Sequence, residues 1–386
     1  MKILQVIPYF YPAWSFGGPV RCVFHLSREL VKRGHEITVY TTNAFDINRN
    51  FKIRTPKTHI DGILVHYFRN IGNLRGLYIS PSILGNARNE LKEFDVIHMH
   101  EFRSFQNIIF HYYCNKQKKP YILTAHGTVP RTIEKFVLKK LYDYTFGFNI
   151  LKDARKLIAL STEEAQQFLN VGIKEEKIVV IPNGIDLDSF SHPPALLSFK
   201  KKFDIPDTSR IILYMGRIHK QKGLSFLLNA FSKVQNMDVV LVIAGPDQGY
   251  LQSLKKRANE LGISDKIKFP GLLIGSDRVS AYRDSYLIVY PSIHECFPLV
   301  PLEAAALSKP SIVTEGGVIA ELVKNGDFGL SVPYGEAFLL KDTILSFLNN
   351  EKLTKQMGTR GKDFVTKNFS WEKIVTQIEN VYLKVV

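Results

Sequence analysis

The sequence predicts two α/β domains, each built on a doubly wound parallel sheet covered by helices. Three observations carry that expectation. Short apolar runs such as KILQV, VVLVIA and LIVY alternate with amphipathic stretches, the pattern of repeated strand-helix-strand crossovers. The alternation breaks between Asn183 and Phe190 and begins afresh at RIILYMG. A length of 386 residues also exceeds what one hydrophobic core commonly supports. The expected domains are residues 1–185 and 186–369, with a last helix over 370–386 packing back on the first.

In chain order, KILQVIP reads as the first buried strand. YFYPAWSFGGPV reads as a loop ending in Gly17 and Gly18, where the missing Cβ atoms let backbone approach a ligand. An ordinary turn is the plain alternative for that pair. A helix from about Val20 to Lys32 ends at Arg33-Gly34, and HEITVYTT is the second strand. GILVHYF and DVIHMH are further strands flanking a helix over 82–92. His98 and His100 share one face of the second of them and, lacking a third ligand, read as structural. FQNIIFHYYC is helical. PYILTAHG is a strand whose carboxyl end delivers His126 and Gly127 to a ligand crevice. Residues 131–151 form a helical region in which Arg131, Lys135 and Lys139 accompany Ile133, Phe136, Val137 and Leu141, a pattern suited to an anionic bilayer or to a solvated surface. The strand KLIAL, a helix opened by Ser161 with Glu164 completing a capping box, and the strand KIVVIP close the first half.

In the second half, RIILYMG leads into GRIHKQKG, where Gly216 and Gly223 flank Arg217 and Lys222. A planar guanidinium fork and a compact ammonium behind a buried strand suit a diphosphate, the alternative being plain solvated charges. The strands VVLVIAGP, IKFPG and LIVYPS follow, with helices between them. YPSIHECFPLVPLEAAALSKP then places Glu295 in a loop and Glu303 one turn into a helix expected to begin near Leu299. A helix N-terminus at the end of a parallel strand attracts anions, so two carboxylates beside it suit a ligand carrying both phosphate and hydroxyl groups. The plain alternative is a chance spacing of two glutamates. Three helices, over about 336–349, 351–367 and 370–384, end the sequence, with Trp371 expected to pin the last.

The formal charge of +15 is uneven. Residues 1–185 carry 26 Lys and Arg against 15 Asp and Glu, and the remainder 25 against 21. The basic excess of the first half points to an anionic partner such as a membrane surface. Nucleic acid is excluded as an expectation because no binding motif accompanies the charge. Cys22, Cys114 and Cys296 lack metal spacing, which fits a reducing compartment and no metal site. No apolar run reaches the roughly 18 residues of a membrane span, so the expected location is the cytosol, with a peripheral place on a membrane's inner face. No G-x-G-x-x-G follows the first strand, which disfavours a dehydrogenase.

Together, FGGPV, RGHEITVYTT, DVIHMHEF, TAHG, VIPNGID, GRIHKQKG, HECFPLVPLEAAALSKP and GGVIAELVKNGDFGL resemble glycosyltransferase family 4 over nearly the whole length. The resemblance implies retaining enzymes of GT-B fold, in which two Rossmann-like domains face each other across a ligand cleft that holds a nucleotide-sugar. It implies that Glu295 meets the donor sugar hydroxyls, Glu303 the ribose diol, and Arg217 and Lys222 the pyrophosphate. It further implies that His126 works on the acceptor side and that Gly17 and Gly18 form the glycine loop. Base recognition is expected from backbone near Gly245 and Phe269. The commonest version of the loop has glycines where this chain has Cys296 and Pro298. Cys296 still offers an N–H but Pro298 offers none, and the amides of Phe297 and Leu299 remain available. The implied reaction is a front-face transfer of a hexosyl-type sugar from a nucleotide-diphosphate sugar to a hydroxyl of a glycolipid, lipid-linked or oligosaccharide acceptor, without metal or further cofactor. A nucleotide-sugar epimerase, a phosphorylase and a binding protein without turnover stay open as alternatives.

Overall fold

The structure, a computed structural model, describes residues 1–53, 55–74, 76–130, 136–235, 237–293 and 295–386. The chain divides into two compact units, Met1–Gly184 joined by Trp371–Val386, and Ile185–Ser370. Each is a Rossmann-like α/β unit with a largely or wholly parallel sheet, the class predicted from the alternating pattern.

In the first unit the strands lie in the spatial order Ile178–Val180, Lys156–Ala159, Ile122–Thr124, Val96–His100, Lys2–Val6, Glu36–Thr42, Ile63–Phe68, Lys57–Ile60. All pairings are parallel except the last, where Lys57–Ile60 runs antiparallel to Ile63–Phe68. That edge hairpin was not expected. It turns at Asp61-Gly62, both with positive φ, the geometry that matches strand twist. The strand order reverses between Lys2–Val6 and Val96–His100, so a crevice is expected outside the carboxyl ends of these two. Leu4, Val6, Ile97, Met99 and Leu123 anchor the core on one face. The first helix spans Gly18–Lys32, two residues longer at its start than the sequence suggests. The final helix, Trp371–Leu383, packs beside it, with Trp371 buried against Gly184 and Glu379 bridging Arg33 and His35.

In the second unit the order is Ile267–Gly271, Val239–Ala244, Arg210–Met215, Ser285–Tyr290, Ser311–Thr314, Gly329–Val332, all parallel. Its reversal lies between Arg210–Met215 and Ser285–Tyr290, and the loops carrying Arg217, Lys222 and Glu295 leave those two strands. The helix expected near Leu299 spans Leu299–Ala306. No helix among the described residues is long and apolar enough to cross a membrane.

Candidate active site

In the second unit, glycine geometry brings the two central loops together. Gly223 has φ +67°, and a Cβ there would lie 2.1 Å from the carbonyl oxygen of Pro291. Only glycine allows that approach, which sets Lys222 against the loop of Glu295. The Lys222 ammonium is buried and pairs with Glu295 Oε1. Tyr290 donates its hydroxyl to the same oxygen at 2.8 Å, and Ser292 does so at 2.7 Å. Burial alone would raise the Glu295 pKa. The Lys222 charge and the three donated hydrogen bonds outweigh it and hold the carboxyl below its ordinary value. All these donors meet Oε1, and Oε2 takes no hydrogen bond from a described residue.

Glu303 occupies a second buried cluster. Its Oε1 pairs with Arg278 and its Oε2 accepts from Tyr282 at 2.7 Å. Burial opposes the charge on Arg278, and Glu303 more than offsets it, so the guanidinium stays firmly protonated. Arg278 also lies over the ring of Phe190 at 5.5 Å. The sequence reading missed Arg278 and Tyr282. Their spacing of four places them on one helical face, but an Arg-Tyr pair at that spacing carries no distinctive signal.

Arg217 is exposed, and its Nη1 reaches Gln248 Oε1 at 3.4 Å. Gly245 bonds through its N–H to Gly271 at 2.8 Å, and its close approach to the Gly216 carbonyl leaves no room for a side chain. Phe269 lies on the edge strand under the Lys255 ammonium, 6.0 Å from its ring. The Phe297 side chain packs on Phe369, with ring centroids 5.9 Å apart. Leu299 is the first residue of its helix.

In the first unit, Gly17 has φ +87° and precedes the helix, whereas Gly18 is simply its first residue, so Gly17 alone uses glycine's freedom. His126 and Gly127 follow the strand Ile122–Thr124 with φ of +53° and +77°. The turn is tied down by Glu164, whose Oε1 accepts from Gly127 N at 2.6 Å and whose Oε2 accepts from Leu160 N at 2.7 Å. Glu164 thus reaches beyond its own helix, where Ser161 caps the Glu164 N–H at 3.1 Å. Arg103 fixes the next residues, pairing with Asp143 at 2.8 Å and donating to the Val129 carbonyl at 2.9 Å. His98 and His100 are fully buried, and His100 Nδ1 meets His126 Nε2 at 3.1 Å. Arg131 and Lys135 lie outside the described residues. Beyond them, Val137, Leu141 and Tyr144 are exposed beside Lys140. Among the described residues no three His, Cys, Asp or Glu side chains group so as to hold a metal ion.

Comparison with known proteins agrees with this architecture. The family described as "Glycosyl transferases group 1" matches residues 198–364, and "Glycosyltransferase Family 4" matches residues 16–189. An uncharacterized glycosyltransferase of Methanocaldococcus jannaschii is 24% identical over 99% of this chain and 98% of its own. The phosphatidyl-myo-inositol mannosyltransferase of Mycobacterium leprae is 25% identical over 99% of this chain and 96% of its own. The crystal structure of Anabaena HepE in complex with UDP and glucose shares the fold, with a TM-score of 0.81, 20% identity and full coverage of both chains. Two family signatures, each seated on one Rossmann-like unit, and relatives matched along nearly the whole length make the chain a glycosyltransferase of family 4, with the GT-B fold.

Proposed function

We propose that the chain transfers a hexosyl-type sugar, with retention of configuration, from a nucleotide-diphosphate sugar to a hydroxyl acceptor. The observation that carries the reading is the convergence of Lys222, Tyr290 and Ser292 on one oxygen of Glu295, at the strand reversal of the second unit and on the loop next to Arg217. Breaking a sugar-phosphate bond builds negative charge on the leaving diphosphate, and Arg217 and Lys222 supply fixed positive charge for it. Oε2 of Glu295, which takes no hydrogen bond from a described residue, is the oxygen to accept a sugar hydroxyl. Glu303, held by Arg278 and Tyr282, is assigned the ribose diol. In this reading Gly245 and Phe269 lie at the base, and the amides of Phe297 and Leu299 at the phosphates or sugar. The proton of the acceptor passes to a donor phosphate oxygen, and no metal is invoked. HepE in complex with UDP and glucose supports a nucleotide-sugar donor.

On the acceptor side, His126 serves the hydroxyl acceptor. A relative named for phosphatidyl-myo-inositol favours an acceptor on a membrane. The exposed face of Val137, Leu141 and Tyr144 with Lys140 would rest on anionic lipid. Sedimentation with anionic vesicles that weakens as salt rises supports that contact, and indifference to such vesicles at low salt removes it. The donor reading is tested by thermal stabilisation with a panel of UDP-, GDP- and ADP-sugars, followed by transfer assays. A ligand held at 100 times its Kd stabilises by about 2.7 kcal/mol. No stabilisation by any of the panel would overturn it.

A further inference from the structure

Six buried or half-buried side chains of the first unit form one continuous hydrogen-bonded chain. Tyr382 of the final helix meets His98 Nδ1 at 2.8 Å, and His98 Nε2 meets Thr124 Oγ1 at 2.8 Å. In the other direction, Gln5 Nε2 meets the Tyr382 oxygen at 3.3 Å. Gln5 Oε1 meets His100 Nε2 at 2.6 Å, and His100 Nδ1 meets His126 Nε2 at 3.1 Å.

The donor and acceptor roles along this chain are fixed by chemistry. A carbonyl oxygen only accepts, so His100 Nε2 carries a hydrogen. Burial lowers the pKa of His100 well below the ordinary value, so its ring is neutral and Nδ1 is a bare acceptor. His126 Nε2 must then donate. Burial also lowers the His126 pKa, to about 3, so the ring is neutral and Nδ1 is its remaining acceptor. The far end agrees independently. A phenol is a better donor than a neutral imidazole, so Tyr382 donates to His98 and its oxygen is left to accept from Gln5. That places the Gln5 carbonyl toward His100. Turning the Gln5 amide over would reverse every bond, so one side chain sets both ring tautomers.

We propose that Gln5, His100 and Tyr382 are positioning residues that hold His126 as its Nε2–H tautomer and present Nδ1 as an acceptor for a substrate hydroxyl. The proposal rests on the reading of His126 as an acceptor-side residue. The backbone agrees with a ring held in one pose. His126 is a non-glycine residue in the left-handed region, and the amide that follows it is anchored by Glu164. A neutral imidazole so arranged receives a hydroxyl hydrogen bond and orients the hydroxyl oxygen without taking its proton.

The test is a two-bond proton-nitrogen correlation spectrum of the full chain labelled with nitrogen-15 histidine. The wild-type spectrum decides the tautomer without any substitution. Nε2–H patterns for His100 and His126 support the chain as drawn, and an Nδ1–H pattern or a mixture for His126 overturns it. His100→Phe should turn His126 into a mixture and lower transfer turnover about 10- to 100-fold, by analogy with partners that orient metal-ligating histidines. The KM for donor should stay within about twofold, because an acceptor-side lesion leaves donor binding intact. His100→Asn, whose carbonyl can stand in for Nδ1, should restore the tautomer and most of the turnover. An unchanged His126 spectrum in His100→Phe, or a changed spectrum with full turnover, refutes the positioning role. Absence of transfer in the wild type would instead count against the proposed function, and the spectrum would still be readable.

Discussion

Acid should weaken the first unit by an amount set by its buried imidazoles. His98 and His100 are each 1% exposed. Burial lowers His98 from 6.5 to about 3 and His100 well below 6.5. Their folded pKa values therefore lie under the unfolded value, and below about pH 6.5 the unfolded chain binds the extra protons. Stability is complete above that point and falls as the medium is acidified toward about pH 3. Each unit of pH costs about 1.36 kcal/mol per histidine, so at about pH 5 the pair costs about 4 kcal/mol. His126, lowered to about 3 by burial, and His66, lowered to about 4, add to the same slope. Both tryptophans, Trp14 and Trp371, lie in this unit, so urea unfolding followed by tryptophan fluorescence reports on it alone. Calorimetry in buffers of different ionisation enthalpy should register net proton uptake on unfolding near pH 5.5. A free energy that stays level between about pH 7 and about pH 5, or unfolding without proton uptake, would show that the imidazoles are not neutral in the fold.

Arg278→Met should destabilise the second unit by about 3–5 kcal/mol, because Glu303 is left buried without its cation. Faster hydrogen exchange in Ser285–Tyr290 should show the loss, and adding Glu303→Gln should recover part of it; no recovery would mean that the loss has another origin. Arg217→Ala, at an exposed site, should leave stability within about 0.5 kcal/mol and lower turnover by about 10²–10³. Full activity in that variant would remove Arg217 from the diphosphate. Gly245→Ala forces a side chain against the Gly216 carbonyl at a φ of +148° and should cost about 1–3 kcal/mol. An unshifted thermal midpoint would show that the two strand ends separate freely.

Most of the fold is legible in the sequence because parallel strands covered on both faces are written as apolar runs, and VVLVIA or LIVY can hardly serve otherwise. The strand Lys57–Ile60 was missed because an edge strand with an exposed lysine and a half-buried threonine has no such run. The short hairpin Gly72–Leu74 and Leu77–Ile79 was missed for the same reason. At the site, Lys222 and Glu295 could be singled out because each follows a central strand by a few residues, and the fold carries such loops to one edge of the sheet. The partners that hold the site residues left no local trace. Gln5 and Tyr382 are separated by 377 positions, and His98 and Tyr382 by 284, so only the folded chain reveals them. The commitment of Glu164 to Gly127 was also hidden, since its local spacing from Ser161 already had a sufficient explanation in helix capping.

The split composition of the first unit bears on biosynthesis. Residues 371–386 leave the ribosome after the whole of 185–370, so the intervening unit can be finished while its predecessor still lacks a helix. Until that helix docks, the groove over Gly184 is uncovered and the His98 imidazole waits for the Tyr382 phenol. Maturation of the histidine array is thereby postponed until Trp371–Val386 has been made, and a nascent chain halted before Trp371 would carry a completed second unit and an unfinished first one.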